Sequence, residues 1–435
     1  MASTTRPNQL TLRAYQVGFG DCFLLTFHYP AQGTKAAFER HVLIDFGSTG
    51  APKNFGPNLL DRVALDIQQE CGGKLHVVVA THRHKDHING FARTDDGKGP
   101  GAIIRACEPE IVLQPWTEDP DAEPNATTPT KKLPASKAYL RALTNMHAFS
   151  ASMLREIQGL RGAISKRLHD QLSFLGEDNL KNASAVKNLM TMGKRKPIYA
   201  YFGTQLSLSS LLPGIRVHVL GPPTLEQSEE IKQQRAKDEA EFWHFQARAA
   251  KQFVATGKAA FRGAVKHSFP PYTRWIIPRL QASRAEQLLE LVRILDDAMN
   301  NTSLILLFEA GGKKLLFPGD AQIENWSFAL EQAKQRPKLK KLLEEVDLYK
   351  VGHHGSLNAT PKSLWEQFEH RGPQNAPQRL QSIVSTMAHK HGHEDKGTEV
   401  PRKKLVDALK EKTQFFSTQD LKKKTELKKV FTIPL

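Results

Sequence analysis

A cluster of three histidines and one aspartate near residue 85 constrains this 435-residue chain more than any other feature. The run LHVVVA at 75–80 has the length of a buried strand, and the string THRHKDH follows it directly. Alternate residues of an extended segment point to the same side, so His82 and His84 are predicted to reach one metal ion. Asp86 and His87 follow at the turn and can reach a second ion. With 17 histidines in the chain an HxH pair can arise by chance in a surface loop, but that alternative does not explain the whole string at a strand end.

The composition is that of a globular protein, with 40% hydrophobic and 24% charged residues. The N-terminal residues 1–7 are polar, unlike a secretory signal peptide, and no apolar run approaches the length of a membrane span. Cys22, Cys71 and Cys107 are scattered without CxxC spacing, which argues against a disulfide framework. We therefore expect a soluble cytoplasmic protein.

The chain is strongly basic, with a formal net charge of +16 and a pI of about 9.6. The excess of lysine and arginine is concentrated in residues 131–275 and beyond residue 396. Such an excess raises the local concentration of polyanions, which suggests nucleic acid or a nucleotide as the partner. The alternative is a basic surface that serves only solubility, and a protein partner remains open.

Periodicity divides the chain into three parts. Strand and helix signals alternate over the first 120 residues, and strand signals return after residue 300. Between them, a loop rich in proline, aspartate and threonine precedes segments of helical periodicity, with a short β-like piece at 216–222. We predict a single α/β domain over 1–435 with a basic, mainly helical insertion at 120–300 and a Lys-rich C-terminal segment at 412–435.

Two further polar strings follow predicted strands. In LLFPGD, Gly319 lets the backbone turn and Asp320 then points beyond the sheet, where a carboxylate can bridge two divalent ions. A Gly-Asp pair is by itself more often an ordinary turn. In YKVGHHGS, adjacent histidines point to opposite sides of an extended chain, so one of His353 and His354 is expected to bind metal. The other can orient it, donate a proton or contact substrate.

Three more segments carry candidate polar groups. Asp21 in GFGD and Asp45 in IDFG lie in glycine-containing turns, and we expect them to support the metal ligands rather than to bind metal first. Ser356 is expected to support the site in the same way. The string HKHGH at 389–393 can add a ligand or a phosphate-facing group, His393 in particular, or can be solvated surface.

The strings THRHKDH, LIDFG, FPGD and KVGHHGS together resemble the metallo-β-lactamase superfamily. Their order is similar to that in the β-lactamase-like domain of bacterial DNA-uptake competence proteins, over residues 10–115 and 300–410. The resemblance implies an αββα sandwich, two mixed β-sheets between helices, with a dinuclear metal site at one edge. The ligands it implies are His82, His84, Asp86, His87, Asp320 as the bridge, and His353 or His354. Many family members carry one more histidine ligand, and His218 does not match its pattern.

This resemblance implies a metal-dependent hydrolase that uses water activated by two divalent ions, Zn or Mn. Asp86 would hold a metal and orient the nucleophile, and His353, His354 or His393 would protonate the leaving group. The basic segments favour a phosphodiesterase or nuclease acting on nucleic acid or nucleotides. One alternative is hydrolysis of a small ester, thioester, lactone or lactam. The other is a non-catalytic, partner-binding component of a larger assembly.

Overall fold

The computed structural model describes residues 5–34, 36–119, 182–224, 226–228, 300–390 and 399–435. The ranges 5–119, 182–224 and 300–435, with these gaps, belong to one compact unit. Its strands are β1 (Gln9–Tyr15), β2 (Cys22–Tyr29), β3 (Phe38–Phe46), β4 (Val77–Val79), β5 (Ile111–Pro115), β6 (Ile198–Ala200), β7 (Ile215–Gly221), β8 (Ile305–Ala310), β9 (Lys313–Phe317), β10 (Leu348–Lys350), β11 (Gln381–Val384), β12 (Gln414–Ser417) and β13 (Lys428–Pro434). Its helices are α1 (Leu59–Glu70), α2 (Lys85–Ile88), α3 (Pro100–Ala106), α4 (Ala183–Thr191), α5 (Ile323–Gln335), α6 (Pro337–Glu344), α7 (Lys362–Trp365) and α8 (Lys403–Lys412).

The strands form two mixed sheets. The first has the order β13-β1-β2-β3-β4-β5-β6, antiparallel as far as β3 and parallel from β3 to β6. The second has the order β12-β11-β10-β9-β8-β7, antiparallel from β7 to β9 and parallel from β9 to β12. The carboxyl ends of neighbouring parallel strands lie at the same edge of a sheet, so the loops that follow them meet there.

Apolar side chains fill three layers. The inner faces of the two sheets pack against each other through residues such as Leu25, Val79 and Phe317. Helices α1, α3 and α4 cover the outer face of the first sheet, and α5 to α8 cover that of the second. Each large apolar side chain buried in this way stabilises the fold by about 1.5–3 kcal/mol. The arrangement confirms the α/β class and the predicted layers of helix, sheet, sheet and helix.

Part of the range predicted as a helical insertion belongs to this layered unit. Residues 182–224 supply α4 to the outer face of the first sheet, β6 to its edge and β7 to the edge of the second sheet. The β-like piece predicted at 216–222 corresponds to β7. Residues 120–181 and 229–299 lie outside the described residues, so a basic helical insertion there stays a prediction.

The Lys-rich C-terminal segment is also part of the fold where it is described. Strand β13 pairs with β1 along its length, and Lys428 forms ion pairs with Asp66 and Glu70 of α1. Among the described residues, no helix combines the length and the apolar character that crossing a membrane requires.

Candidate metal centre

The loop that follows β4 is held against β3 by a buried aspartate. Asp45, near the end of β3, accepts hydrogen bonds from the backbone N–H and the hydroxyl of Thr81, both at 2.7 Å. Gly47 permits the close approach of the two segments, because a Cβ there would lie 2.5 Å from the backbone nitrogen of His87. These contacts fix the segment that carries the four residues predicted to bind metal.

Two loops of the second sheet reach the same place. Gly319 has a φ of +56°, and a Cβ on it would lie 2.7 Å from the Cβ of Thr81, so Asp320 is brought directly against the first loop. The backbone N–H of His353 donates to Asp320 Oδ1 at 3.0 Å. His354 adopts a φ of +52°, an unusual backbone conformation that recurs at functional sites. These contacts bring together loops of the two sheets that lie more than 200 positions apart in the sequence.

Four side chains form a compact buried group: Asp86, His87, Asp320 and His354, whose ligand atoms all lie within 4.8 Å of one another. His87 Nε2 lies 3.0 Å from Asp320 Oδ2, and His354 Nε2 lies 3.0 Å from Asp86 Oδ2. The two histidines are completely buried, whereas the Asp86 side chain is 13% exposed and gives the group its contact with solvent. Two imidazoles and two carboxylates are a donor set that suits Zn²⁺ or Mn²⁺.

The opposite ring nitrogens of the two histidines are also engaged. His87 Nδ1 lies 2.8 Å from Asp45 Oδ2, and His354 Nδ1 lies 2.9 Å from the carbonyl oxygen of Ser385. Such partners fix the ring orientation and leave Nε2 directed at the centre of the group. Asp21, Asp45 and His87 form a second group that overlaps the first at His87. Asp45 also accepts hydrogen bonds from Thr81, and the supporting function predicted for it stays a prediction.

His82 and His84 lie beside the four-residue group. His82 Nε2 is 3.0 Å from His84 Nδ1, and the rings of His82 and His87 are 4.2 Å apart between centroids. Burial lowers the pKa of His82, and the charge of His87 lowers it further. Burial also lowers the pKa of His84, against the opposing effect of Asp86. Neither histidine belongs to a His/Asp group that the described residues bring within ligand distance, so metal binding by this pair stays a prediction.

The charges within the four-residue group are complementary. Burial opposes the ionisation of Asp86, but the hydrogen bond with His354 and the charge of His87 outweigh it and lower the pKa of Asp86. Burial likewise opposes the charged form of His87, but Asp320 and Asp45 raise its pKa well above the usual value. His354 is shifted in the same direction, with Asp320 as the main partner against burial. Each of these shifts is driven by an opposite charge within or next to the group.

These shifts predict how metal binding depends on pH. A histidine whose pKa is raised in the folded chain contributes its full stabilisation below about pH 6.5. This contribution is lost as the pH rises through the pKa of the histidine in the folded chain. The lowered pKa values of Asp86 and Asp320 affect the stability of the fold only at acid pH, below the range in which these histidines titrate. Metal competes with the histidine protons. Thermal melts of Zn-saturated and chelator-treated protein measure the effect. We expect the difference in Tm between the two to widen from about pH 6 to about pH 8.5. A difference that stays constant or narrows over this range would contradict the prediction.

Lys350 is a component of the site that the sequence reasoning missed. Its side chain is 2% exposed, its Nζ forms an ion pair with Asp21, and the same atom lies 3.5 Å from Asp320 Oδ1. Nζ also donates to the carbonyl oxygen of Gly319 at 3.1 Å. Burial opposes its charge, but Asp21 and Asp320 raise its pKa. The signal in the sequence was a lysine inside the otherwise apolar strand LYKV.

The remaining predicted residues are placed differently. The structure brings His354 into the four-residue group, whereas the ring of His353 stays outside it and is half-buried. Ser356 is half-buried, its backbone N–H donates to the His353 carbonyl, and its supporting function stays a prediction. His218 lies away from the group and pairs with Glu309. His393 lies outside the described residues.

Comparison of the sequence with known protein families and with curated proteins finds no match. The class of the protein therefore rests on its own fold and site. Two mixed sheets between helices, with a buried His/Asp cluster at the ends of their strands, are consistent with a metallo-β-lactamase-like fold.

Proposed function

We propose that the protein is a metal-dependent hydrolase and that its reaction is the cleavage of phosphodiesters in nucleic acid or nucleotides. The observation that carries the proposal is the buried group of Asp86, His87, Asp320 and His354 with the His82–His84 pair beside it. Two bound Zn²⁺ or Mn²⁺ ions would supply an activated water and charge stabilisation on the substrate. The protein's own residues would fix the ligands and control protons.

Asp86 and His354 are the residues to which we assign the proton chemistry. Asp86 Oδ2 is 3.0 Å from His354 Nε2, and Asp86 is the member of the group that is partly exposed. A carboxylate at the solvent side of the group is placed to orient an attacking water. His354 is held from behind through its Nδ1, so its Nε2 cannot turn away from Asp86. The ring of Phe19 lies 4.2 Å from that of His354 and covers its apolar face.

The distribution of positive charge supports a polyanionic substrate. Helix α4 begins next to the loop that follows β4, because the side-chain amide of Asn182 donates to the carbonyl oxygen of Arg83 at 3.0 Å. Lys187 is exposed on this helix, whereas the basic segment after it lies at the other edge of the sheet, where the backbone N–H of Lys194 donates to the carbonyl oxygen of Pro109. Cations beside a hydrolytic site raise the local concentration of a phosphate chain and hold it in register.

A metal-dependent cleavage screen tests the proposal. Purified protein with added Zn²⁺ or Mn²⁺ is expected to cut at least one of single-stranded DNA, double-stranded DNA, RNA and cyclic nucleotides. His354→Ala is expected to lower the cleavage rate by more than about 100-fold, because it removes a metal ligand. Loss of a residue that only hydrogen-bonds to a ligand already costs roughly 10–100-fold in activity. His353→Ala is the matched control and is expected to retain activity within about tenfold, since its ring lies outside the group.

Two results would overturn the proposal. One is failure of metal-loaded protein to cut any of the four phosphodiester substrates. The other is turnover of a neutral ester, lactone or lactam at a rate that does not change with salt, which would identify a small-molecule hydrolase. Cleavage of a polyanion is expected to weaken steeply as salt rises, because counterions compete with the protein's cations.

A further inference from the structure

The lysine-rich segment 418–424 lies at the edge of the fold that carries the metal centre. It follows β12, whose carboxyl end lies beside that of β11 in the parallel part of the second sheet. The backbone N–H of Thr386 donates to the hydroxyl oxygen of Thr418 at 3.1 Å. The residue before Thr386 is Ser385, whose carbonyl oxygen lies 2.9 Å from His354 Nδ1. The segment is therefore connected to a histidine of the four-residue group through two neighbouring residues.

Gln16 connects the same segment to a loop of the first sheet that also reaches the site. Its Nε2 donates to the carbonyl oxygen of Thr418 at 2.6 Å, and its Oε1 accepts from the backbone N–H of Gly18 at 2.9 Å. The next residue, Phe19, packs its ring against that of His354. Gln16 is 2% exposed, so this connection is buried and fixes the start of the segment beside the metal centre.

Residues 422–424 are three consecutive lysines whose backbone is held in place. The side-chain amide of Asn54 donates to the carbonyl oxygen of Lys422, and the guanidinium of Arg62 donates to that of Lys424 at 2.6 Å. All three lysines are exposed to solvent. Like charges repel one another at this spacing, and the hydrogen bonds to the backbone keep the three charges together against that repulsion.

Two further cations come from the segment that holds these lysines. We name the five together the C-terminal basic cluster: Lys53, Arg62, Lys422, Lys423 and Lys424. The ranges 53–62 and 418–424 contain these five cations and only two carboxylates. Lys423 pairs with Glu426 at 3.2 Å, and within the part of the chain that the structure describes the other three lysines have no carboxylate at ion-pair distance. The cluster therefore presents uncompensated positive charge to solvent.

The cluster lies within reach of a polymer that occupies the metal centre. Lys424 is six residues from Thr418, so the two are at most about 22 Å apart. The phosphates of one nucleic-acid strand follow one another at about 3.4 Å along the helix axis, so this span corresponds to about six nucleotides. A strand of that length would contact the metal centre and the cluster together.

We propose that the C-terminal basic cluster binds the phosphate backbone of a nucleic-acid strand whose cleaved phosphodiester lies at the metal centre. Cations without carboxylate partners attract a polyanion and release its counterions. An acidic protein would be attracted as well, but the cluster lies on the same edge of the fold as the metal centre, which favours the substrate itself. This inference rests on the proposed function and narrows its substrate class to strands of several nucleotides.

Strand binding by charge-neutralised protein tests the inference. Fluorescence anisotropy measures the affinity of full-length, chelator-treated protein for a labelled single-stranded DNA of about twelve nucleotides, which is not cut without metal. The triple variant Lys422→Gln, Lys423→Gln, Lys424→Gln is expected to bind about 10–100-fold more weakly at about 0.1 M salt. The slope of log affinity against log salt is expected to become shallower by about 2, because three phosphate contacts are lost.

The matched control is the triple variant Lys338→Gln, Lys340→Gln, Lys341→Gln. It removes the same number of charges from exposed positions of α6, which leads to the amino end of β10 at the sheet edge opposite the metal centre. Charges at that distance are screened at about 0.1 M salt, so the control is expected to bind within about threefold of the wild type.

The inference is overturned by a wild type that does not bind the strand, by equal losses in the two triple variants, or by an unchanged salt slope in the cluster variant. A loss of affinity for poly-glutamate without a loss for DNA would also overturn it and would identify an acidic protein partner. Binding is read without metal, so the proposed function is tested separately. Cluster-dependent binding by a protein that cuts nothing would contradict the proposed function, whereas cutting by a protein whose cluster variant binds normally would contradict this inference.

Discussion

Replacing Asp320 by asparagine is expected to weaken the binding of Zn²⁺ or Mn²⁺ by more than about 100-fold. This loss exceeds the roughly 10–100-fold that follows when a residue that only hydrogen-bonds to a metal ligand is removed. The substitution keeps the shape of the side chain and removes one negative charge. That charge lies 3.0 Å from His87 Nε2, 3.7 Å from His354 Nε2 and 3.5 Å from Lys350 Nζ. Isothermal titration of chelator-treated protein measures the effect, and phosphodiester cleavage is expected to fall with it.

Glu309→Gln is the matched control for this prediction. Glu309 lies on β8, next to the strand that precedes Asp320, and its carboxylate is 30% exposed and pairs with His218 at 3.1 Å. It belongs to neither His/Asp group, so its loss is expected to leave metal affinity unchanged within about threefold. Equal metal affinities for Asp320→Asn and the wild type would contradict the assignment of Asp320 to the site.

Replacing Lys350 by methionine is expected to destabilise the metal-free protein by about 3–5 kcal/mol. Methionine fills a similar volume, but the change leaves the buried carboxylates of Asp21 and Asp320 without their nearest lysine. Removal of one partner from a buried ion pair exposes the remaining charge to the full cost of burial. Chemical denaturation of chelator-treated protein measures the loss, and saturating Zn²⁺ is expected to offset part of it by supplying a different cation.

Lys314→Met is the matched control, because it shows how much stability the loss of an ordinary lysine in the second sheet costs. Lys314 lies on β9 and its Nζ is 2.9 Å from Glu345 Oε2, in a pair that is partly exposed to solvent. Such pairs contribute about 0–1 kcal/mol. If both substitutions cost the same free energy of unfolding, or if Lys350→Met costs less than about 1 kcal/mol, the electrostatic account of Lys350 is wrong.

The elements that periodicity predicts well are those whose pattern is complete in the local sequence. The hairpin of β1 and β2, helix α1 with Val63 and Ile67 on one buried face, and the apolar strand β4 follow directly from the spacing of their residues. Strands β6 and β12 are three and four residues long, and their sequences IYA and QFFS carry no distinctive alternation. They become strands because the edges of β5 and β11 offer hydrogen bonds, which is tertiary information.

The same division holds for the site. His82, His84, Asp86 and His87 are recognisable because they lie within six positions, and Asp320 because a glycine turn follows a strand. The choice between His353 and His354 depends on left-handed backbone conformations at both residues, which adjacent histidines do not reveal. Lys350 acts through contacts with distant segments, so only the folded chain shows what it meets.

Anomalous diffraction from crystals grown with Zn²⁺ is the most direct test of the central claim that distant segments form one metal centre. We expect a peak at about 2.0–2.2 Å from His87 Nε2, His354 Nε2 and the carboxylates of Asp86 and Asp320. A second peak is expected beside His82 and His84. Crystals in which Zn²⁺ is bound elsewhere, with no peak among these four side chains, would contradict the account.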